Sequence, residues 1–183
     1  MSFRDEIFDR QSELIDEFGW AVVHVVPTEE DPEDAVPFAY TVGLTGFGFA
    51  ELTITGLPPE LSHTILNELA TRLRDDGLRL RHGQPLTDLL VDQEVVIVAG
   101  APTDDVFPGA ALLRYGDERV HLNQVVWPDP WDKFPWHHDY ESILYPQPVI
   151  GRPQPATASR CHSFRGIPRP NGRRGARARK RSR

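Results

Sequence analysis

Cysteine and long apolar runs are scarce in this sequence. The 183 residues include one cysteine, Cys161, which cannot form a disulfide within the chain. No apolar run reaches the roughly 18 residues that a membrane-spanning helix needs. The first residues, MSFRDEIF, are acidic where a signal peptide is basic and then apolar. We therefore expect a soluble, cytoplasmic protein without membrane contact.

The motifs of several common enzyme classes are also missing. The sequence has no GxSxG nucleophile turn, no GxxxxGK[ST] phosphate loop and no GxGxxG dinucleotide turn. The glycine-rich stretch 43–48 does not lead into a helical pattern, so we interpret it as a turn. Cys161 has no base at a fixed position beside it. These absences argue against acyl transfer, and the sequence leaves open whether the protein is an enzyme.

Acidic residues are absent from the last part of the chain. Residues 1–151 contain all 27 acidic residues and 9 basic ones, whereas residues 152–183 contain 11 basic residues and no acidic one. The net charges are therefore −18 and +11. A body of charge −18 repels phosphate backbones, so we do not expect it to bind nucleic acid.

The basic segment differs from the body in composition as well as in charge. Its only large apolar residues are Phe164 and Ile167, which cannot offset the entropy cost of ordering the chain. We predict one α+β domain over residues 1–151 and a disordered, arginine-rich tail over residues 152–183. The tail is either a solvated appendage that lies over the acidic body or a nonspecific binder of nucleic acid or an anionic surface.

Apolar residues at helical spacing predict three helices, at residues 2–18, 59–76 and 110–115. Alternating or β-branched runs predict five strands, at residues 20–26, 38–44, 52–55, 95–99 and 120–127. Between them, we interpret residues 27–37, with five acids and three prolines, as a solvated loop, and residues 78–90 as an extended loop.

The connection between the second and third strands is too short for a helical crossover, so this pair should be antiparallel. The predicted class is α+β. We expect a small, mainly antiparallel curved sheet or split barrel with two main helices packed outside it.

The most unusual segment is residues 127–136, which contain three tryptophans and three prolines. No regular element fits it, because each proline removes an amide donor and fixes its φ. The indole rings either fold back onto the core or form a wall of a ligand pocket. In the second case Trp127 and Trp136 would be the walls and Asp129 an orienting acceptor.

Small and polar residues along the strands form a second candidate surface. Thr41, Gly43, Thr53 and Thr55 would line a cleft, with His121 and Asn123 beside them if the last strand lies alongside. The hydroxyl of Tyr40 would face a ligand or be satisfied within the core. The same alternation is also typical of a sheet with one face in water.

A metal site is not predicted. His137, His138 and Asp139 are adjacent in a loop, and adjacent histidines rarely converge on one ion. His24 and His121 would be the further ligands if an ion were bound.

Four motifs together resemble a known family. They are FAYTVGL at 38–44, ELTITGLP at 51–58, WPD at 127–129 leading to FPW at 134–136, and QPVIG at 147–151. This combination is similar to the bacterial family catalogued as domain of unknown function 4262, over residues 19–151. The resemblance implies domain limits and no activity, and the basic tail departs from it.

The order of elements also resembles the split-barrel fold of flavin reductases and pyridoxamine-phosphate oxidases. That similarity implies a flavin as a candidate cofactor. No basic residue lies near Thr41 or Thr53 to bind its phosphate.

From these patterns we predict a small-ligand site between the strand at residues 40–44 and the loop at residues 127–136. The predicted ligand-binding residues are Tyr40, Thr41, Gly43, Thr53, Asn123, Trp127, Asp129 and Trp136. In a flavin-type enzyme His121 would act as acid or base, because histidine is the side chain that ordinarily exchanges protons near neutral pH. The alternative is a noncatalytic module whose aromatic loop docks a protein partner. The sequence does not predict the oligomeric state.

Overall fold

The computed structural model describes residues 3–153. In chain order the elements are α1 (Phe3–Phe18), β1 (Ala21–Val25), β2 (Phe38–Val42), a 3-10 helix (Leu44–Phe47), β3 (Glu51–Thr55), α2 (Pro59–Arg74), β4 (Pro85–Leu90), β5 (Gln93–Gly100), α3 (Gly109–Tyr115) and β6 (Leu122–Val126). The first residue of the helix predicted at 2–18 and the tail predicted at residues 152–183 lie outside the described residues, except for Arg152 and Pro153.

The strands form one open sheet in the order β1-β2-β3-β6-β5-β4. The β3–β6 pair is parallel, and every other neighbouring pair is antiparallel. The predicted antiparallel pairing of the second and third strands is confirmed, with Tyr40 opposite Thr53. The fold class is therefore α+β. The sheet does not close into a barrel, because β1 and β4 lie at its two edges.

One face of the sheet packs against α2. The buried side chains of Ile65, Leu69 and Leu73 recur at intervals of one helical turn and join the larger hydrophobic core. Leu61, one turn before Ile65, is 38% exposed in the first turn of the helix. The central strands contribute Leu52 to this core.

The other face is covered by three pieces of chain. Tyr40 and Val42 pack there against Ala111 of α3, and Ile15 of α1 packs against the same cluster. Residues 146–150, which we call the C-terminal strap, cover the neighbouring strands.

Gln124 of β6 holds the strap in place. Its side-chain amide donates to the carbonyl oxygen of Pro148 at 2.7 Å, and its side-chain oxygen accepts the amide of Ile150 at 2.8 Å. The buried Gln124 side chain therefore bonds to the strap and also donates to the hydroxyl of Thr55 in β3 at 3.2 Å.

The loop predicted at residues 78–90 is wrong in its second half, where β4 pairs with β5. The pairing register shifts between Leu86 and Leu90, and this irregularity breaks the alternation by which a strand is recognised. Pro85 is tolerated because it is the first residue of an edge strand.

Candidate functional site

A buried carboxylate organises the turn after β2. Glu51 has no exposed surface, and its carboxylate accepts the Thr41 hydroxyl at 2.6 Å and the amides of Gly43 and Thr45 at 3.0 and 2.9 Å. Burial raises the pKa of Glu51, and the hydrogen bonds from Thr41, Thr45 and Gly43 act in the opposite direction. Thr41 and Gly43, both predicted ligand contacts, are thus bound to Glu51.

Gly43 also permits a close approach of two backbone segments. Its φ is +133°, and a Cβ at this position would lie 2.4 Å from the carbonyl oxygen of Gly19. A larger residue would push β1 away from the turn.

Tyr40 and Thr53 face each other across β2 and β3 and are both buried. The Tyr40 hydroxyl oxygen accepts the amide of Ala110 at 3.1 Å. The Thr53 hydroxyl donates to the carbonyl of Ala39 at 3.0 Å. Burial raises the pKa of Tyr40, so the phenol stays protonated at neutral pH.

His121 and Asn123 lie at the start of β6. His121 is exposed, and its carbonyl oxygen accepts the amide of Glu51 at 2.9 Å. Asn123 pairs with Leu52 and Ala99, which places it on the face that carries α2. The role of His121 as acid or base stays a prediction.

Trp127 lies at the far end of β6 from His121 and is 7% exposed. Its indole N–H donates to the carbonyl of Thr55 at 2.8 Å, and its ring meets Tyr145 edge-on at 6.3 Å. The first indole of residues 127–136, which we call the Trp/Pro-rich loop, therefore packs into the core.

Asp129 fixes the course of the Trp/Pro-rich loop. Its buried carboxylate accepts the amides of Trp131 and Lys133, both at 2.9 Å. Beyond this turn, the ring of Trp136 stacks on Phe134 at 4.9 Å with an angle of 2° between the planes.

Three of the predicted site residues, Thr41, Gly43 and Trp127, lie at opposite ends of β3. Thr41 and Gly43 lie beside Glu51 at the first residue of β3, whereas Trp127 bonds to Thr55 at its last residue. At about 3.3 Å per residue, β3 separates the groups by about 13 Å. The structure does not bring them to a common point.

A cavity of about 420 Å³ lies where β1 ends and β2 begins. Its apolar lining includes Val25, Val36, Phe38, Phe107 and Pro148 of the strap. Phe107 is 57% exposed, so one aromatic ring stands at the edge of the cavity in contact with solvent.

Four aspartates line the same cavity, namely Asp31, Asp34, Asp104 and Asp105. No basic side chain is among the described residues that line it. The Asp31 carboxylate accepts the amide and the hydroxyl of Thr28 at 2.7 and 2.9 Å, and these hydrogen bonds lower its pKa. We call this feature the acidic cavity.

Sequence reasoning missed the acidic cavity because its parts are far apart in the chain. The sequence predicts only a solvated loop at residues 27–37, and Asp104 and Asp105 belong to no recognisable pattern. The available signal was the placement of acidic residues next to Phe38 and Phe107. The pairing of Val25 with Phe38 places the loop at 27–37 at this end of the sheet, and the chain after β5 brings Asp104 and Asp105 to the same cavity.

Within residues 3–153 no three His, Cys, Asp or Glu side chains are arranged to hold a metal ion. His137, from the histidine pair considered above, accepts the amide of Phe134 through its Nδ1 at 3.0 Å. In the same part of the chain, no helix has the length and apolar character needed to cross a membrane.

Comparison with known families adds a family identity to this geometry. The model of the family described as "Domain of unknown function (DUF4262)" matches residues 14–141. The chain belongs to this family. The DUF4262 match extends from α1 into the loop after β6 and confirms the predicted family; it includes the first three motifs, whereas QPVIG at 147–151 lies beyond the matched residues. No curated protein and no solved structure matches the chain.

The DUF4262 motifs coincide with the buried hydrogen-bond centres described above. Glu51 binds the turn after β2, Trp127 bonds to the end of β3, and Asp129 binds its own loop. Gln147, which lies beyond the matched residues, exchanges two hydrogen bonds with the Trp127 backbone, at 3.0 and 2.9 Å. These motif residues therefore form hydrogen bonds that connect separate segments of the folded chain.

Proposed function

We propose that residues 1–151 of this DUF4262 protein form a cytoplasmic binding domain for a small organic cation, which occupies the acidic cavity. The observation that carries the proposal is the combination of apolar walls with four aspartates in one cavity. The ligand lies between the start of β2 and the strap that follows the Trp/Pro-rich loop. None of the ligand-binding residues that the sequence predicts lines this cavity.

The dimensions and charge of the cavity favour an aryl or alkyl amine. A volume of about 420 Å³ falls within the range of small-molecule sites, roughly 300–1,000 Å³. Phe38 and Phe107 offer apolar area to the body of the ligand, and an ammonium group is attracted by both the carboxylates and the aromatic faces. The aspartates disfavour a phosphate, so this site is not suited to the phosphate of a flavin.

The test compares phenethylamine with its uncharged analogue 2-phenylethanol by NMR titration of the full chain. Phenethylamine should shift the amide signals of Val36, Phe38 and Asp105. Because partly exposed ion pairs contribute up to about 1 kcal/mol each, we expect 2-phenylethanol to bind about three- to tenfold more weakly.

Matched variants show whether the cavity supplies the charge. The Asp104→Asn/Asp105→Asn variant should weaken phenethylamine binding about three- to tenfold. The Asp76→Asn/Asp117→Asn variant removes the same charge outside the cavity and should bind as the wild type does. Equal binding of amine and alcohol, or equal loss in the two variants, would refute the proposal.

A second function is the docking of a protein partner by the Trp/Pro-rich loop. It is favoured by exposed apolar side chains in this loop and in the residues that follow it. Trp131, Ile143 and Leu144 are 59%, 91% and 65% exposed. A photo-crosslinking amino acid at position 143 in bacterial cells should give one discrete product, and the same group at position 76 should give none. A smear at both positions would exclude specific docking.

We also propose that any nucleic-acid binding resides in the tail, whose 11 basic residues would release counterions from phosphates. The full chain should bind a DNA duplex with an affinity that falls steeply between 50 and 200 mM salt. A chain ending at Pro153 should not bind. Equal binding by both chains would remove this role from the tail.

A further inference from the structure

We propose that the acidic cavity binds a segment of this chain, residues 160–169 of the arginine-rich tail, and that this segment competes with a free cation. The inference rests on the proposed function, because both ligands would use the same apolar walls and aspartates.

The sequence of the segment matches the lining of the cavity. Residues 160–169, RCHSFRGIPR, contain the only two large apolar residues of the tail, Phe164 and Ile167, between three arginines. An arginine fork binds a carboxylate through two parallel hydrogen bonds, and an apolar side chain next to it can enter an apolar cavity. The remaining basic residues of the tail have no large apolar neighbour.

The point at which the described chain ends gives this segment the necessary reach. Pro148 lines the cavity, and Pro153 follows five residues later. At no more than about 3.6 Å per residue, Pro153 lies within about 18 Å of Pro148. The 11 residues from Pro153 to Phe164 can span about twice that distance.

Charge complementarity favours the cavity over the rest of the body. Four aspartates surround the apolar walls, and none of the described lining residues is basic. Elsewhere on the body Asp88 and Asp139 are paired with Arg72 and Lys133, but many other acidic side chains of the described residues form no salt bridge, so the cavity is distinguished by the combination of carboxylates with apolar walls. The cavity thus combines unneutralised carboxylates with exposed apolar surface, which includes Phe107.

The tether makes this contact effective even when the segment binds weakly. A tethered segment acts at an effective concentration on the order of 1 mM. If its own dissociation constant is on the order of 0.1 mM, the segment weakens the binding of a competing amine by about tenfold. The tail would therefore set the ligand concentration at which the cavity responds.

The single cysteine gives a direct test, because Cys161 lies inside the proposed segment. A nitroxide attached to Cys161 of the full chain should broaden the amide signals of Val36, Phe38 and Asp105. The signal of Gly77, beyond the end of α2, should stay sharp. Saturating phenethylamine should displace the segment and restore the broadened signals.

Two tail variants of equal charge separate a specific contact from general attraction. Arg160→Gln/Arg165→Gln should abolish the local broadening and strengthen phenethylamine binding about tenfold. Arg179→Gln/Arg181→Gln removes the same charge outside the segment and should change neither measurement. Uniform broadening over the acidic surface, or equal effects of the two variants, would overturn the inference.

The same measurements distinguish the failure of the inference from that of the proposed function. If phenethylamine binds and the nitroxide broadens no cavity signal, the tail contact is refuted and the free-cation site stands. In the opposite case, the nitroxide broadens the cavity signals, but phenethylamine binds neither the wild type nor Arg160→Gln/Arg165→Gln. The contact of the tail with the cavity is then supported, the competition with an amine is not, and the proposed function fails.

Discussion

Single residues in this protein connect segments of chain through buried hydrogen bonds. The Thr41 hydroxyl donates to Glu51 and accepts the amide of Leu52 at 2.9 Å, so one side-chain oxygen serves two buried groups. Removing such a group leaves its partners without hydrogen bonds in a place that water does not reach. Single-residue changes at the turn after β2 should therefore have large effects.

The Thr41→Val variant should lower the free energy of unfolding by about 1–3 kcal/mol, because a buried carboxylate oxygen and a buried amide each lose a partner. Thr64→Val is the matched control, since the exposed Thr64 hydroxyl donates only to the carbonyl of Glu60 within α2. It should cost less than about 0.5 kcal/mol. Urea unfolding measures both, and equal costs would contradict a special role for Thr41.

Glu51 should make stability depend on pH in a definite direction. Burial raises its pKa in the folded protein, so the folded state holds the Glu51 proton more tightly than the unfolded state. The contribution from this proton is complete below the unfolded pKa, about 4.3–4.5, and is lost as pH rises through the folded pKa. The free energy of unfolding of the wild type relative to Glu51→Gln should thus fall as pH rises from about 4.5. An opposite slope in parallel urea titrations would show that the hydrogen bonds outweigh burial.

At the scale of secondary-structure elements, the C-terminal strap closes one face of the sheet. Gln124 and Thr55 donate to the carbonyl of Pro148, and Gly56 lets the chain after β3 pass close to Pro146. The strap thereby completes the acidic cavity at Pro148. A change that displaces the strap should affect both stability and ligand binding.

Gly56→Ala tests the close approach of β3 and the strap. Gly56 has φ +74°, and an added Cβ would lie 2.6 Å from the carbonyl oxygen of Pro146. Gly77 has a similar φ of +71° with no atom within 4 Å, so Gly77→Ala measures the backbone strain alone. We expect losses of about 1 kcal/mol for Gly77→Ala and about 2–4 kcal/mol for Gly56→Ala. Equal losses in thermal unfolding would show that the strap moves aside freely.

At the scale of the whole molecule, charge is divided between an acidic body and a basic tail. Residues 1–151 contain 27 acidic and 9 basic residues, and their mutual repulsion opposes the compact state. The 11 basic residues of the tail can screen that repulsion when they lie close to the body. Salt provides the same screening from solution.

A chain ending at Pro153 should therefore be stabilised by salt more than the full chain. Between 20 and 200 mM NaCl we expect its melting temperature to rise by about 2–5 °C, with a smaller rise for the full chain. Differential scanning calorimetry at matched protein concentration measures both. Identical salt responses would show that the tail does not approach the body.

The sequence alone determined most elements, because helical spacing, β-branched runs and turn residues act over a few neighbouring positions. The helices, five of the six strands and the antiparallel pairing of β2 with β3 follow from such local patterns. The exception, β4, has a register shift that hides its alternation. The motifs at 38–44, 51–58 and 127–136 likewise lie within the residues that match the DUF4262 family.

Only the tertiary structure decided which hydrogen-bond partner in a distant segment each polar side chain has. Thr41, Thr53 and Trp127 carry polar groups that suit a ligand equally well, and only the fold assigns those groups to Glu51, Ala39 and Thr55. The acidic cavity likewise exists because the pairing of β1 with β2 and the path of the chain after β5 bring the loops at 27–37 and 101–108 together. Local patterns specify elements, whereas a site built from separate loops depends on long-range packing that no short stretch of sequence encodes.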